Sequence, residues 1–341
     1  MKFQSIYNLR NNIPLPMIDD DTPTFMGMPL ARNVSELKGA DFAIIGVPYA
    51  STRPTPGRDP NEFDGYAQAP RRTRINSLRY AGYLPEFDLD VFDHVKMVDY
   101  GDVEIVDDVA QSSENCIKKI EEVVAAGVRP ITIGGGSPPA SYAVAGGIAR
   151  RTAGKVGTLC LDAHGDCTET SYPGNPTGVN GQNWELRMWQ DFPNIDPHHH
   201  CEIGMRGPRN AKEMIATLRD VGARAIVAAE VFERGIGPVT AEAIERTFTG
   251  VEKTWMQIDL DVLDIGAVPD WGDEPMGLSV RDCIHVVHEA ARNGLNGLSF
   301  VFVAPVPGIS KVISYAAIYY IAGLLRGGHV ISRATGRPIG Q

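Results

Sequence analysis

The stretch that decides the fold is LDAHGDC, Leu161 to Cys167, which closes the apolar run KVGTLCLD (155–162). Asp162, His164 and Asp166 alternate with Ala163 and Gly165, so period-two spacing turns the three polar side chains to one side of an extended segment. A second segment of this kind is WMQIDLD (255–261), where Asp259 and Asp261 again end an apolar run. In a parallel sheet, functional groups sit just beyond the carboxyl ends of the strands. Four carboxylates converging there would repel one another and raise each other's pKa values, a penalty that a divalent cation removes. Carboxylate oxygens plus one imidazole suit Mn, Ni, Fe or Zn. A lone Asp at a strand end is best read as a loop cap, whereas two paired constellations at two strand ends point to a metal centre.

Further strands are expected at DFAIIGV (41–47), KMVDYGDVEI (96–105), RPITIGGG (129–136), CEIGMR (201–206), 223–229 and GLSFVFV (297–303). Helical patterns cover 112–127, with Ser112 or Ser113 as N-cap and Gly127 as stop, then 209–220 and 311–325. Ser279 is expected to cap a helix running to Arg292. Strands separated by helices predict an α/β fold with a parallel sheet held between helical layers. Residues 1–38, rich in Pro, Asn and Asp, read as an extended N-terminal arm, and 39–341 as a single domain without repeat or linker.

Composition narrows the function classes. The chain has 341 residues, 43% of them hydrophobic, and 32 Lys and Arg stand against 42 Asp and Glu, a net charge of −10. No basic stripe stands out, which argues against a nucleic-acid surface. Five scattered cysteines without a CxxC motif suggest reduced thiols and a cytoplasmic setting. The N-terminus lacks the apolar core of a secretory signal, and no unbroken apolar run of membrane-spanning length occurs, so no membrane partner is expected.

DAHGD (162–166) together with IDLDVLD (258–264) resembles the ureohydrolase family, which includes arginase, agmatinase, guanidinobutyrase and the guanidine and biguanide hydrolases. PYASTRPTPGRD (48–59) followed by APRRTR (69–74) resembles that family's Arg-Pro-Gly loop and Gly-Pro-Arg helix entry, and DEPMGLS (273–279) its Glu-Pro-Gly-Gly-Leu segment. The resemblance implies an arginase-like three-layer α/β/α sandwich that assembles as trimers or hexamers. It implies hydrolysis of a C–N bond in a small guanidino compound, with release of urea, by a hydroxide formed between two bridged ions, Mn2+ or Ni2+. It also implies roles for particular residues. Asp162 and Asp259 would bridge both ions, His164 and Asp261 would complete one position, and Asp166 would serve the other as ligand and catalytic group. Glu274 would hold the substrate's guanidinium or amine by a charge-assisted hydrogen bond. Tyr172 and Asn175 in SYPGNPTG would touch substrate, and Trp271 would wall the pocket through cation–π contact.

Departures from the family pattern bear on activity. The family's Gly-Gly-Asp-His-Ser motif corresponds to IGGGSPPAS, which puts Gly136 at the Asp and Ser137 at the ligating His. A hydroxyl is a poor substitute for imidazole. A family His-Gly aligns with Asn180-Gly181, and an amide carries no proton at neutral pH. Ser299 and Phe302 stand where the family usually has acidic residues. No other histidine is expected to fill the gap: His198, His199 and His200 read as a surface loop at the amino end of a strand, and His285 and His288 as helix surface or interface. Cys167 reads as a small buried thiol.

Two readings therefore stand. In one, the chain is a supporting subunit paired with an active homologue in a hetero-oligomer, resembling heteromeric guanidine and biguanide (metformin) hydrolases. In the other, it is itself a guanidino-compound hydrolase, agmatinase- or guanidinobutyrase-like, with an altered metal site. Loss of a metal-ligating nitrogen favours the first, and retention of the five acidic and imidazole positions plus Glu274 sustains the second.

Overall fold

Residues of both parities along the central strands are apolar, which requires a sheet covered on both faces. The computed structural model, which describes residues 3–50, 64–168, 178–267 and 274–339, has that architecture. The strands are β1 (Phe42–Val47), β2 (Tyr83–Leu84), β3 (Leu89–Asp90), β4 (Met97–Asp102), β5 (Arg129–Gly134), β6 (Val156–Leu161), β7 (Ile195–Met205), β8 (Arg224–Val227), β9 (Lys253–Asp259) and β10 (Gly297–Val301). β2 and β3 form a small antiparallel ribbon. The others build one eight-stranded sheet in the order β4-β1-β5-β10-β9-β6-β7-β8, and every pairing within it is parallel.

The helices are α1 (Ile6–Asn11), α2 (Ala69–Ser77), α3 (Val109–Ala125), α4 (Tyr142–Arg150), α5 (Trp184–Asp191), α6 (Lys212–Asp220), α7 (Ala228–Arg234), α8 (Ile236–Phe248), α9 (Val280–Arg292) and α10 (Pro307–Arg326). Alternation along the strands sorts the core into two layers. Phe42, Ile44, Leu159, Leu161, Met256 and Ile258 face α2, α8, α9 and α10. Ala43, Ile45, Val47, Val156, Cys160 and Trp255 face α3, α4 and α5. The predicted three-layer α/β/α sandwich is thus present. α10 is long and apolar enough to match a membrane span by length and composition, yet it lies buried against α9 and α2 as a core helix.

Local chemistry fixes the element ends. Ser279 caps α9 through a reciprocal box with Asp282, as the sequence suggests. α3 begins earlier than expected: Asp108, not Ser112 or Ser113, accepts from the amides of Ala110 and Gln111, while Ser112 bonds back to Val106. α4, α5, α7 and α8 carry no expectation from sequence, because Gly-rich and mixed segments blur their periodicity. The N-terminal arm is more than extended chain. It forms α1 and buries Phe25, Met26 and Met28, and the amide of Phe25 donates to Asp99 at 2.8 Å. Arg74 of α2, wholly buried, bridges Asp99 at 2.9 Å and Asp102 at 2.5 Å, tying α2 to β4.

Candidate metal centre

Parallel pairing of Leu161 with Ile258 sets the next residues, Asp162 and Asp259, side by side beyond β6 and β9. Each carboxylate also shapes the turn that presents the following ligand. Asp162 Oδ1 accepts from the His164 amide at 2.8 Å. Asp259 Oδ1 accepts from the Asp261 amide at 3.0 Å, and Asp261 Oδ1 from the Ala163 amide at 3.1 Å. Ligating atoms of Asp162, His164 and Asp261 consequently lie within 4.8 Å of one another. His164 Nδ1 is 2.9 Å from Asp261 Oδ2, and its Nε2 is 3.4 Å from Glu274 Oε1. Asp166 turns to α5, where the Trp184 indole N–H donates to Oδ2 at 2.8 Å. All six of these acidic and imidazole groups are buried or nearly so.

Electrostatics mark the cluster as unbalanced. Burial and then repulsion from Asp259 and Asp261 hold the Asp162 carboxyl well above the carboxylate range. Burial and Asp261 do the same to Asp259. Burial raises Asp166 to about 6 against the lowering influence of His164 and the Trp184 N–H. Burial opposes charge on His164 too, but the Asp261 carboxylate and its hydrogen bond outweigh it and push the imidazole up to about 9. Each shift is what crowded carboxylates with too little positive charge produce. The donor set of carboxylate oxygens around one imidazole nitrogen fits a divalent first-row cation.

Glu274 is held from the loop between β7 and α6, where the helix expected from 209 begins only at Lys212. Arg206 donates to the carbonyls of Asp261 and Glu274, each at 2.8 Å, and of Pro275 at 2.9 Å, fixing the Glu274 backbone to the metal turn. Gly207 has φ +81°, and a Cβ there would meet the Glu274 carboxylate oxygen at 2.9 Å, so glycine permits the close approach. The Arg209 guanidinium lies 3.5 Å from Glu274 Oε1. Asn210 staples the loop to the DAHGD turn, accepting from the Gly165 amide at 3.1 Å and donating to Ala163 O at 2.9 Å. Nothing in the local pattern of MRGPRN (205–210) distinguishes these residues from an ordinary polar turn.

The substituted positions meet each other. A Cβ added at Gly181 would lie 3.8 Å from the Ser137 Cβ, so the turn after β5 and the turn before α5 are neighbours. The Ser137 hydroxyl accepts from Ser141 at 2.8 Å. A Cβ added at Gly136 would meet the Tyr49 ring at 3.8 Å, with nothing nearer among the described residues. The Asn180 amide folds into its own turn: its Oδ1 accepts from the Gln182 amide at 2.9 Å and its Nδ2 donates to Gly178 O at 3.4 Å. Ser299 accepts from the Trp255 indole at 2.7 Å, deep in the core, and Phe302 packs on Tyr66. Tyr172, Asn175 and Trp271, with most of the loop from 48 to 59, lie outside the described residues. The histidine run is not a surface loop throughout. β7 begins at Ile195, so His200 lies within it, fully buried, while His198 stays exposed.

A profile of the arginase family matches residues 40–325. This chain belongs to the arginase family. Within it, the human mitochondrial guanidino acid hydrolase is 27% identical over 79% of this chain and 72% of its own length. The guanidinobutyrase of Pseudomonas aeruginosa is 24% identical over 86% and 90%. Among solved structures, proclavaminate amidino hydrolase from Streptomyces clavuligerus superposes with a TM-score of 0.73 at 24% identity, covering 88% of this chain and 97% of that one. Formiminoglutamase from Trypanosoma cruzi, solved with Mn2+, superposes with a TM-score of 0.75 at 21% identity, covering 89% and 99%. Arginase-family proteins bind divalent cations, and the turns after β6 and β9 supply suitable donors here.

Proposed function

We propose that this arginase-family chain is a subunit of a hydrolase acting on a C–N bond of a guanidino-type compound, and that it works as a supporting subunit beside an active homologue. One observation carries the reading. The two turns where the family places imidazoles instead bring Ser137 and the Asn180-Gly181 pair together, with both side chains engaged locally. The buried acids that remain would hold a divalent cation through Asp162, His164, Asp259 and Asp261, with Asp166 alongside. Such an ion supplies Lewis-acid polarisation and charge neutralisation for hydrolysis. Glu274 offers a carboxylate for a substrate guanidinium or amine, and Arg206 keeps that carboxylate's loop in place. Trp184 holds Asp166 by its N–H and shields it from water.

The guanidino substrate class rests on the relatives named above, and the hetero-oligomer on the missing imidazole, since loss of a metal-ligating nitrogen typically lowers metal affinity and activity by orders of magnitude. Retention of Asp162, His164, Asp166, Asp259, Asp261 and Glu274 favours the second reading, a chain that hydrolyses a guanidino compound by itself. Turnover assays on the purified chain, alone and co-expressed with a homologue carrying the complete histidine set, separate them. The supporting role predicts no urea release from guanidine, agmatine or a biguanide by the chain alone, and release at a rate normal for such hydrolases would refute it.

A further inference from the structure

A second polar group lies beneath the candidate metal centre, on the α5 side of the sheet. Cys160 of β6 sits in register between Glu202 of β7 and Gln257 of β9. His200 precedes Glu202 by two residues on the same face, and Glu185 descends from α5. All five side chains are essentially without solvent exposure. The Sγ of Cys160 and ligating atoms of Glu185 and His200 lie within 4.8 Å of one another. His200 Nε2 is 3.5 Å from Glu185 Oε1 and 4.0 Å from Glu202 Oε2.

The group is unsatisfied as it stands. Among the described residues His200 Nε2 and both polar atoms of the Gln257 amide have no hydrogen-bond partner, and the Glu185 carboxyl has the Glu202 carboxyl and the Cys160 thiol as its partners. Arg246 spends its Nε on the His200 carbonyl at 3.0 Å. Buried carboxylates without a counter-charge are costly, and burial, then Asp166, raises Glu185 to about 8. His200 is already oriented as a ligand. Its Nδ1 meets Thr158 Oγ1 at 2.8 Å, which leaves Nε2 directed at the carboxylates. Trp189 packs edge-on against the imidazole and helps close the chamber.

A shared proton would relieve the two glutamates but would make no use of the convergent imidazole and thiol. A thiolate, an imidazole and carboxylates together are the donor set of Zn2+ and similar borderline cations. We infer that Cys160, Glu185, His200 and Glu202 form a structural site for a Zn2+-type divalent cation, distinct from the acidic cluster above it, that ties β6 and β7 to α5. Enclosure on all sides means that the ion enters as the chain folds and exchanges slowly afterwards.

Cobalt is the probe, because a thiolate–Co2+ bond gives a near-ultraviolet charge-transfer band and the acidic cluster above contains no thiol. The full chain produced in cobalt-supplemented medium and dialysed against chelator should show that band. Asp259→Asn, which disables the upper cluster, should keep it, and Cys160→Ser should lose it together with chelator-resistant cobalt. Absence of the band from the folded wild-type chain would overturn the proposal and leave a carboxylate pair sharing a proton, a result independent of whether any variant folds. A band that survives Cys160→Ser would overturn it equally.

Discussion

His164 Nδ1 lies 2.9 Å from Asp261 Oδ2, on turns that follow two different strands. The pairing raises the imidazole to about 9, after burial is overcome, so at neutral pH a proton occupies the position where a cation would be held. Ion binding must displace that proton, and those on Asp162 and Asp259. Affinity is therefore expected to rise with pH up to about the His164 value and to fall as pH drops. Calorimetry of Mn2+ binding in buffers of different ionisation heats should register proton release, whereas buffer-independent heats would argue against these ligands.

Asp259→Asn should remove the ion and yet stabilise the metal-free chain, by roughly 1–3 kcal/mol, because it replaces a carboxyl that burial and Asp261 force to stay protonated in the fold. The sign with pH follows. A carboxyl whose folded pKa lies above its unfolded value costs stability once pH exceeds the unfolded value, so the gain is largest in alkaline buffer and fades toward the ordinary carboxylate range. Chemical denaturation at two pH values measures it, and destabilisation of the metal-free chain would count against crowded acids.

Ser137→His combined with Gly136→Asp should raise metal stoichiometry, since among the described residues only the Tyr49 ring, at 3.8 Å, approaches a Cβ at Gly136. Equilibrium dialysis compares the double variant with wild type. No change in bound metal would mean that the turn after β5 does not face the acids.

Arg74→Met leaves Asp99 buried without its cation, with the Phe25 amide still donating to it. A loss of about 3–5 kcal/mol is expected on removing one partner of a buried pair, with the metal affinity of the remaining folded chain unchanged. Denaturation and Mn2+ titration of the same sample separate the two quantities.

The fold and the upper cluster were legible for one reason: Asp162 with His164, and Asp259 with Asp261, sit at period two at the ends of uninterrupted apolar strands. That pattern survives without any tertiary information. Ser279 with Asp282 was equally local. The Arg206–Asn210 loop was not, because its importance lies in carbonyls and amides supplied by residues far along the chain. His200 was misplaced because HHH (198–200) breaks the apolar run that marks a strand, and only pairing with Thr158 of β6 shows that β7 continues through it. Glu185 carried no expectation from sequence, because its burial depends on α5 lying over the polar strip of the sheet.

The central claim, that acids after β6 and β9 with His164 hold a divalent cation, is tested most directly by Mn2+ titration. The free-ion paramagnetic resonance signal should be followed for wild type and Asp259→Asn. A hard ion avoids the thiolate chamber, so wild type should bind Mn2+ and quench the signal while Asp259→Asn leaves it free. Equal quenching by both proteins, or by neither, would contradict the account.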